Sequence, residues 1–220
     1  MNKENLYTAK RYLLILILTC FFIGIGAALM KSWRLTPETH FEQAMHLLYE
    51  KKEDKALVHF LLAGKSQQPI IRAMSAYHLA RLYHKGAKGV PQNINKAVFY
   101  YEQAALMKIP QAQYELALLY DVGDKIPENR DKAINLMIEA AKVLPQAKYA
   151  LAVWIERGYL GKPNQAWAVA LYEQAANSGI KNAIKSLIAI YHGGYGRFPD
   201  NIRREQYWRR RLESAKNDLS

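Results

Sequence analysis

The chain has a single cysteine, Cys20, among 220 residues. One thiol excludes an intrachain disulfide, a cysteine-built zinc cluster and a Cys-x-x-Cys redox pair. Nucleophile motifs are missing as well: no Gly-x-Ser-x-Gly elbow, no phosphate-binding loop and no His-Glu-x-x-His string occurs. The six histidines, His40, His46, His59, His78, His84 and His192, do not converge at ligand spacing, so no metal site is expected. Gly193-Gly194-Tyr195-Gly196 resembles a phosphate cradle only in composition and reads as an interhelical loop. Glu115, Asp121 and Glu156 read as solvated surface carboxylates. No residue constellation supports an enzyme, and no cofactor is expected.

Acidic residues are also scarce. Lys and Arg number 31 against 19 Asp and Glu, for a formal charge of +12 and a pI near 9.6. Lys3, Lys10, Arg11, Lys31 and Arg34 flank one long apolar run, and Arg203, Arg204, Arg209, Arg210 and Arg211 form a second cluster near the C-terminus. Glu205 and Glu213 lie among those arginines, so the cluster reads as a solvated cationic helix face. Contact with a polyanion or glycan is the sharper reading; nucleic acid is not expected as a partner.

The apolar run Tyr12–Leu29 carries no charge over 18 residues. As a helix rising about 1.5 Å per residue it would extend about 27 Å, close to a bilayer's hydrocarbon thickness. Three readings compete: a cleavable signal with Gly26-x-Ala28 as its site, a lipoprotein acylated at Cys20, and an uncleaved anchor. The length of the run favours the anchor. The expected organisation is a basic cytoplasmic segment 1–11, a transmembrane helix 12–30, a tether 31–37, a repeat domain 38–215 and a tail 216–220. The short basic N-terminus points to cytoplasmic residues 1–11, hence a bacterial inner-membrane location with a periplasmic domain.

The rest of the chain repeats itself. Ser75-x-Tyr77-x-Leu79-Ala80-x-Leu82-Tyr83 returns as Ala112-x-Tyr114-x-Leu116-Ala117-x-Leu119-Tyr120 and as Ala147-x-Tyr149-x-Leu151-Ala152-x-Trp154-Ile155. It fades into Ala183-x-Lys185-x-Leu187-Ile188-x-Ile190-Tyr191. A period of about 35–37 residues marks stacked helical hairpins. In the clearest unit, apolar spacing predicts helices over 71–85 and 94–107, with Gly86 ending the first and Asn93 capping the second. Hairpins are expected at about 38–66, 70–109, 110–144, 145–180 and 181–215, the first and last diverging as caps do. The high count of 15 tyrosines is explained by the repeats, whose tyrosines fill gaps between helices with hydroxyls reaching water or backbone, and Tyr77, Tyr114 and Tyr149 are read as building the core.

The string Tyr83-His84-Lys85-Gly86-Ala87-Lys88-Gly89-Val90-Pro91-Gln92-Asn93, with the alanine pairs Ala104-Ala105, Ala140-Ala141 and Ala175-Ala176, resembles the Sel1-like repeat family, relatives of the tetratricopeptide repeat. Ala80, Ala117 and Ala152 stand where the family has glycine, and Asn93 where it has aspartate. The resemblance implies an all-α, right-handed α-solenoid, here preceded by one transmembrane helix. It also implies an adaptor or scaffold that binds a protein, in envelope, secretion or polysaccharide-export assemblies. Partner contact is expected on the concave face, at first-helix residues left unburied: His78, Arg81, His84, Glu115, Leu118, Lys148, Val153 and Glu156. The rival is an accessory regulator of cell-wall or polysaccharide enzymes touching glycan through Trp154, Trp167, Tyr195 and Trp208.

Overall fold

The computed structural model describes residues 36–217 apart from Asp124 and residues 194–199, with side chains through Ser214. The expected span 12–30, segment 1–11, most of the tether, the end of the tail, and the Gly194–Gly196 loop with Tyr195 lie outside the described residues. Among the described residues no helix is long and apolar enough to cross a membrane.

The described residues form ten α-helices in order: α1 Pro37–Tyr49, α2 Glu53–Ala63, α3 Pro69–Lys85, α4 Ile94–Leu106, α5 Pro110–Val122, α6 Arg130–Ala141, α7 Pro145–Glu156, α8 Gln165–Asn177, α9 Lys181–His192 and α10 Asn201–Asn217. Each odd-numbered helix packs against the next to make a hairpin, and α2, α4, α6 and α8 each pack on the first helix of the following hairpin. The result is an all-α solenoid.

Local chemistry sets the helix starts. Pro37, Pro69, Pro110 and Pro145 open four first helices, where a missing N–H costs nothing and φ is pre-set. Second helices start at asparagine instead: Asn93, Asn129 and Asn164 accept from the backbone N–H of Lys96 at 2.9 Å, Lys132 at 3.0 Å and Trp167 at 3.0 Å. The interhelical loops need glycine. Gly158 has φ +77°, and an added Cβ would lie 2.9 Å from the Gly161 carbonyl oxygen.

The core is a continuous stack of small and large side chains. Ala80, Ala117 and Ala152 are fully buried where a partner helix approaches, and Tyr101, Tyr172, Phe60 and Met137 fill the gaps between helices. One register position departs from the others. Ser75 is buried with an unpartnered hydroxyl, whereas Ala112, Ala147 and Ala183 occupy the same place in later hairpins. Ser75→Ala is therefore expected to stabilise the protein by up to about 1 kcal/mol in urea unfolding, since it removes an unsatisfied polar group without leaving a cavity. A loss of stability would mean the hydroxyl has a partner after all.

Candidate functional site

The first helices α3, α5 and α7 place equivalent residues on one face of the array. Tyr77, Tyr114 and Tyr149 are half-buried there, a correction to their assignment to the core. Neighbouring groups couple along the row. Arg81 is exposed, with its guanidinium 5.7 Å from the Tyr77 ring. Burial raises the Tyr77 phenol above its ordinary range; Arg81 opposes the shift and the Glu115 carboxylate adds to it. Tyr114 is raised by burial and then by Glu115 and Tyr149. Arg81, Glu115 and the tyrosines thus share one surface. Leu118 and Val153 are partly buried against the core along the same helices, and Lys148 is half-buried on α7.

His78 does not belong to that surface. It is only 8% exposed, stacked on Phe60 with ring centroids 4.9 Å apart and planes within 5°. Phe41 and Tyr77 meet its ring edge-on at 6.2 and 5.3 Å. The reason is the first hairpin, which packs on α3 and covers the side of it that holds His78. Burial, and then Arg81, lower its pKa to about 4, so the imidazole is neutral.

His84 and Glu156 have structural partners on their own hairpins. His84 Nδ1 lies 3.4 Å from the Tyr101 hydroxyl, and Glu156 accepts from the Tyr172 hydroxyl at 2.7 Å. A second set of tyrosines ties consecutive hairpins together. Tyr120 donates to Glu102 at 2.8 Å, and Tyr191 to Glu173 at 3.0 Å. The Tyr120, Tyr172 and Tyr191 hydroxyls therefore reach glutamates of neighbouring helices, where the sequence pointed to water or backbone. Cations lie over the rings at this repeat position: Lys96 over Tyr83 at 5.0 Å, Lys132 over Tyr120 at 5.3 Å and Arg204 over Tyr191 at 5.7 Å.

Between the third and fourth hairpins this arrangement is replaced as a unit. The tyrosine place holds Ile155, the glutamate place Ile138 and the lysine place Trp167. Donor and acceptor change together because leaving either alone would strand a polar group in a packed interface.

The basic cluster is partly neutralised. Arg204 donates to Glu173 at 3.1 Å and to the Tyr191 hydroxyl at 3.2 Å, and Arg209 pairs with Glu205 at 2.7 Å. Arg211 donates to the Tyr207 hydroxyl at 3.2 Å and lies over the Trp208 ring. Arg203 and Arg210 stay exposed on α10. Of the tryptophans, Trp154 and Trp208 are core residues at 5% and 4% exposure, while Trp167 is 43% exposed.

The Sel1 repeat family matches residues 73–108, 110–142 and 145–180, which are the second, third and fourth hairpins. Residues 73–180 carry Sel1 repeats. The fold agrees with a crystal structure of a Sel1 repeat protein from Oxalobacter formigenes: TM-score 0.70, 23% identity, 81% of this chain and 73% of that one. It agrees similarly with a protective antigen of uropathogenic Escherichia coli displaying an SLR fold, with TM-score 0.72 and 22% identity over 86% of this chain and 40% of that one.

Two fungal proteins are also similar in sequence. A chitin synthase regulator of Saccharomyces cerevisiae is 33% identical over 116 residues, covering 51% of this chain and 17% of that protein. Chitin synthase regulatory factor 2 of Schizosaccharomyces pombe is 32% identical over 155 residues, 65% of this chain and 30% of that one. The Sel1 chain thus spans under a third of the length of these relatives.

Proposed function

We propose that this Sel1 array is a protein-interaction scaffold that receives its partner along the face of α3, α5 and α7. The observation that carries the reading is the row Tyr77, Tyr114 and Tyr149, half-buried one hairpin apart with part of each ring open, and set among Arg81, Glu115, Lys148 and Val153. Tyrosines held this way offer contact area with few rotamers to immobilise, so they add affinity at low entropic cost. The apolar run 12–30 serves as a single-pass anchor in a bacterial inner membrane, with the array in the periplasm. Tethering there concentrates the face near membrane partners.

A photo-crosslinking residue at position 114, compared with one at position 103 on α4, tests the face in intact membranes. The expected result is a discrete adduct at 114 that Arg81→Glu with Val153→Asp reduces at least tenfold, and none at 103. Equal adducts at both positions, with the helical circular dichroism unchanged, would sink the assignment.

A second reading places a polysaccharide-synthesising enzyme at the other end of the contact. The names of the fungal relatives favour it. In this form the array regulates such an enzyme by holding it. Direct glycan contact has less support, because Trp154 and Trp208 are packed in the core. Retention of the isolated array on purified anionic polysaccharide, lost on Trp167→Ala, would favour direct contact instead.

A further inference from the structure

Two histidines face each other across the first hairpin. His40 on α1 and His59 on α2 bring their Nδ1 atoms to 3.0 Å, with ring centroids 5.0 Å apart. Both side chains are half-buried. Burial and the neighbouring His59 favour the neutral form of His40, the form that ligates metals.

We propose that His40 and His59 form a two-imidazole chelate for a divalent first-row metal ion, which clips α1 to α2. The separation is the main argument. With metal–nitrogen bonds of about 2.0–2.1 Å, two imidazole nitrogens at a right angle lie about 2.9 Å apart, and two at the tetrahedral angle about 3.3 Å. The observed 3.0 Å falls between these limits, so an ion can bridge the two nitrogens once each ring turns its lone pair off the line between them. Whichever ring holds its proton on Nδ1 passes to the Nε2–H tautomer on binding, and no net proton leaves.

The surroundings suit an open site rather than a closed cage. A groove of about 500 Å³ beside the pair is lined by Gln43, His46, Leu47, Lys55, Val58 and His59, leaving space for water ligands. His46 is turned toward Glu50, 3.8 Å away, and Glu38 is engaged by the Ser66 hydroxyl at 2.6 Å. Among the described residues no set of three histidine, cysteine or carboxylate ligands converges. Two nitrogens without thiolate favour Cu²⁺ over Ni²⁺ and Zn²⁺. The ion would secure the hairpin whose turn carries Lys51 at φ +58° instead of glycine. Because the unfolded chain lacks the paired geometry, binding stabilises the folded hairpin.

The test is calorimetric titration of the full chain, without a polyhistidine tag, with CuCl₂ and separately with NiCl₂ at pH 7.5. We expect one equivalent bound more tightly than about 0.1 mM and a higher thermal midpoint. His40→Gln and His59→Gln should each weaken binding at least tenfold, while His46→Gln and His192→Gln change it less than threefold. Cu²⁺ should broaden amide resonances of α1 and α2 first. Affinity that survives both His40→Gln and His59→Gln, broadening centred elsewhere, or no binding at 1 mM metal overturns the proposal. Gln keeps the size and polarity of the site, and unchanged amide spectra of the metal-free variants establish that each is folded.

Discussion

Acidification from pH 7 to pH 4 is expected to remove about 3 kcal/mol from the stability of the N-terminal part of the array, with His78 as the main cause. The ring is 8% exposed and flat against Phe60, with its pKa lowered to about 4 by burial and then by Arg81. The unfolded chain binds the same proton near pH 6.5. A histidine whose folded pKa is depressed contributes stability that is fully present above the unfolded value. That contribution is lost as pH falls toward the folded value, so the window is pH 6.5 to 4. His40 is shifted in the same direction, first by burial and then by His59, and adds to the loss. The carboxylates of Glu38, Glu50 and Glu205 are also lowered, by hydrogen bonds from Ser66, Lys52 and Arg209, so their contribution begins to fall only near the ordinary value of 4.5, at the acidic end of the histidine window.

His78→Phe keeps the stack on Phe60 and has no proton to bind, so it should flatten the curve between pH 6.5 and 5 while leaving the more acidic limb. Urea unfolding at half-unit pH steps measures this. Hydrogen exchange should show α1 to α3 opening first, because arrays of hairpins lose structure unit by unit. A variant curve that still falls steeply above pH 5 would place the sensitivity elsewhere.

The second large effect is at Tyr172, a side chain 1% exposed whose hydroxyl donates to Glu156 at 2.7 Å. Tyr172→Ala is expected to cost about 3–5 kcal/mol, because it opens a ring-sized cavity between α7 and α8. Tyr172→Phe should cost only about 1 kcal/mol, since Glu156 is exposed and water replaces the lost donor. The third hairpin contains its own comparison. Met137 is fully buried at the same place on α6, facing the helix that carries Asp121 rather than Glu156. Burial raises the Asp121 carboxyl above its usual range, with Arg130 and Arg157 opposing. Tyr172→Met should therefore cost less than half as much as Tyr172→Ala. Equal costs would show that the two hairpins do not share one pocket shape.

Much of the local structure could be read residue by residue. Asn93 caps α4 where expected, and Gly86 ends α3 with φ +67°. α3 begins at Pro69, two residues before the expected start, because proline at the first helical position needs no N–H partner. Trp154 was legible as packing from its place in the register, whereas His78 was not. The two residues differ in what covers them, since Trp154 stacks on Tyr159 of its own hairpin's loop and His78 lies beneath the hairpin before it. The His40–His59 pair has no sequence signal, because residues 19 apart meet only when α1 and α2 fold back on each other.

The sequence by itself determined the repeating unit: its period, its proline and asparagine helix starts, its glycine loops and the small residues that let helices approach. These depend on backbone conformation and nearest neighbours in the chain, which residue type controls directly. Only the tertiary structure decided which tyrosines are buried and which are half-exposed. Tyr77 and Tyr101 occupy apolar stripes of similar appearance, yet Tyr101 is sealed between helices while Tyr77 is only partly buried along the face of α3, α5 and α7. Helical periodicity assigns a residue to a side of its helix. How much of that side stays open depends on how the adjoining hairpins stack over it. At His78 and along the tyrosine row, that stacking separates a core residue from a residue of the binding face.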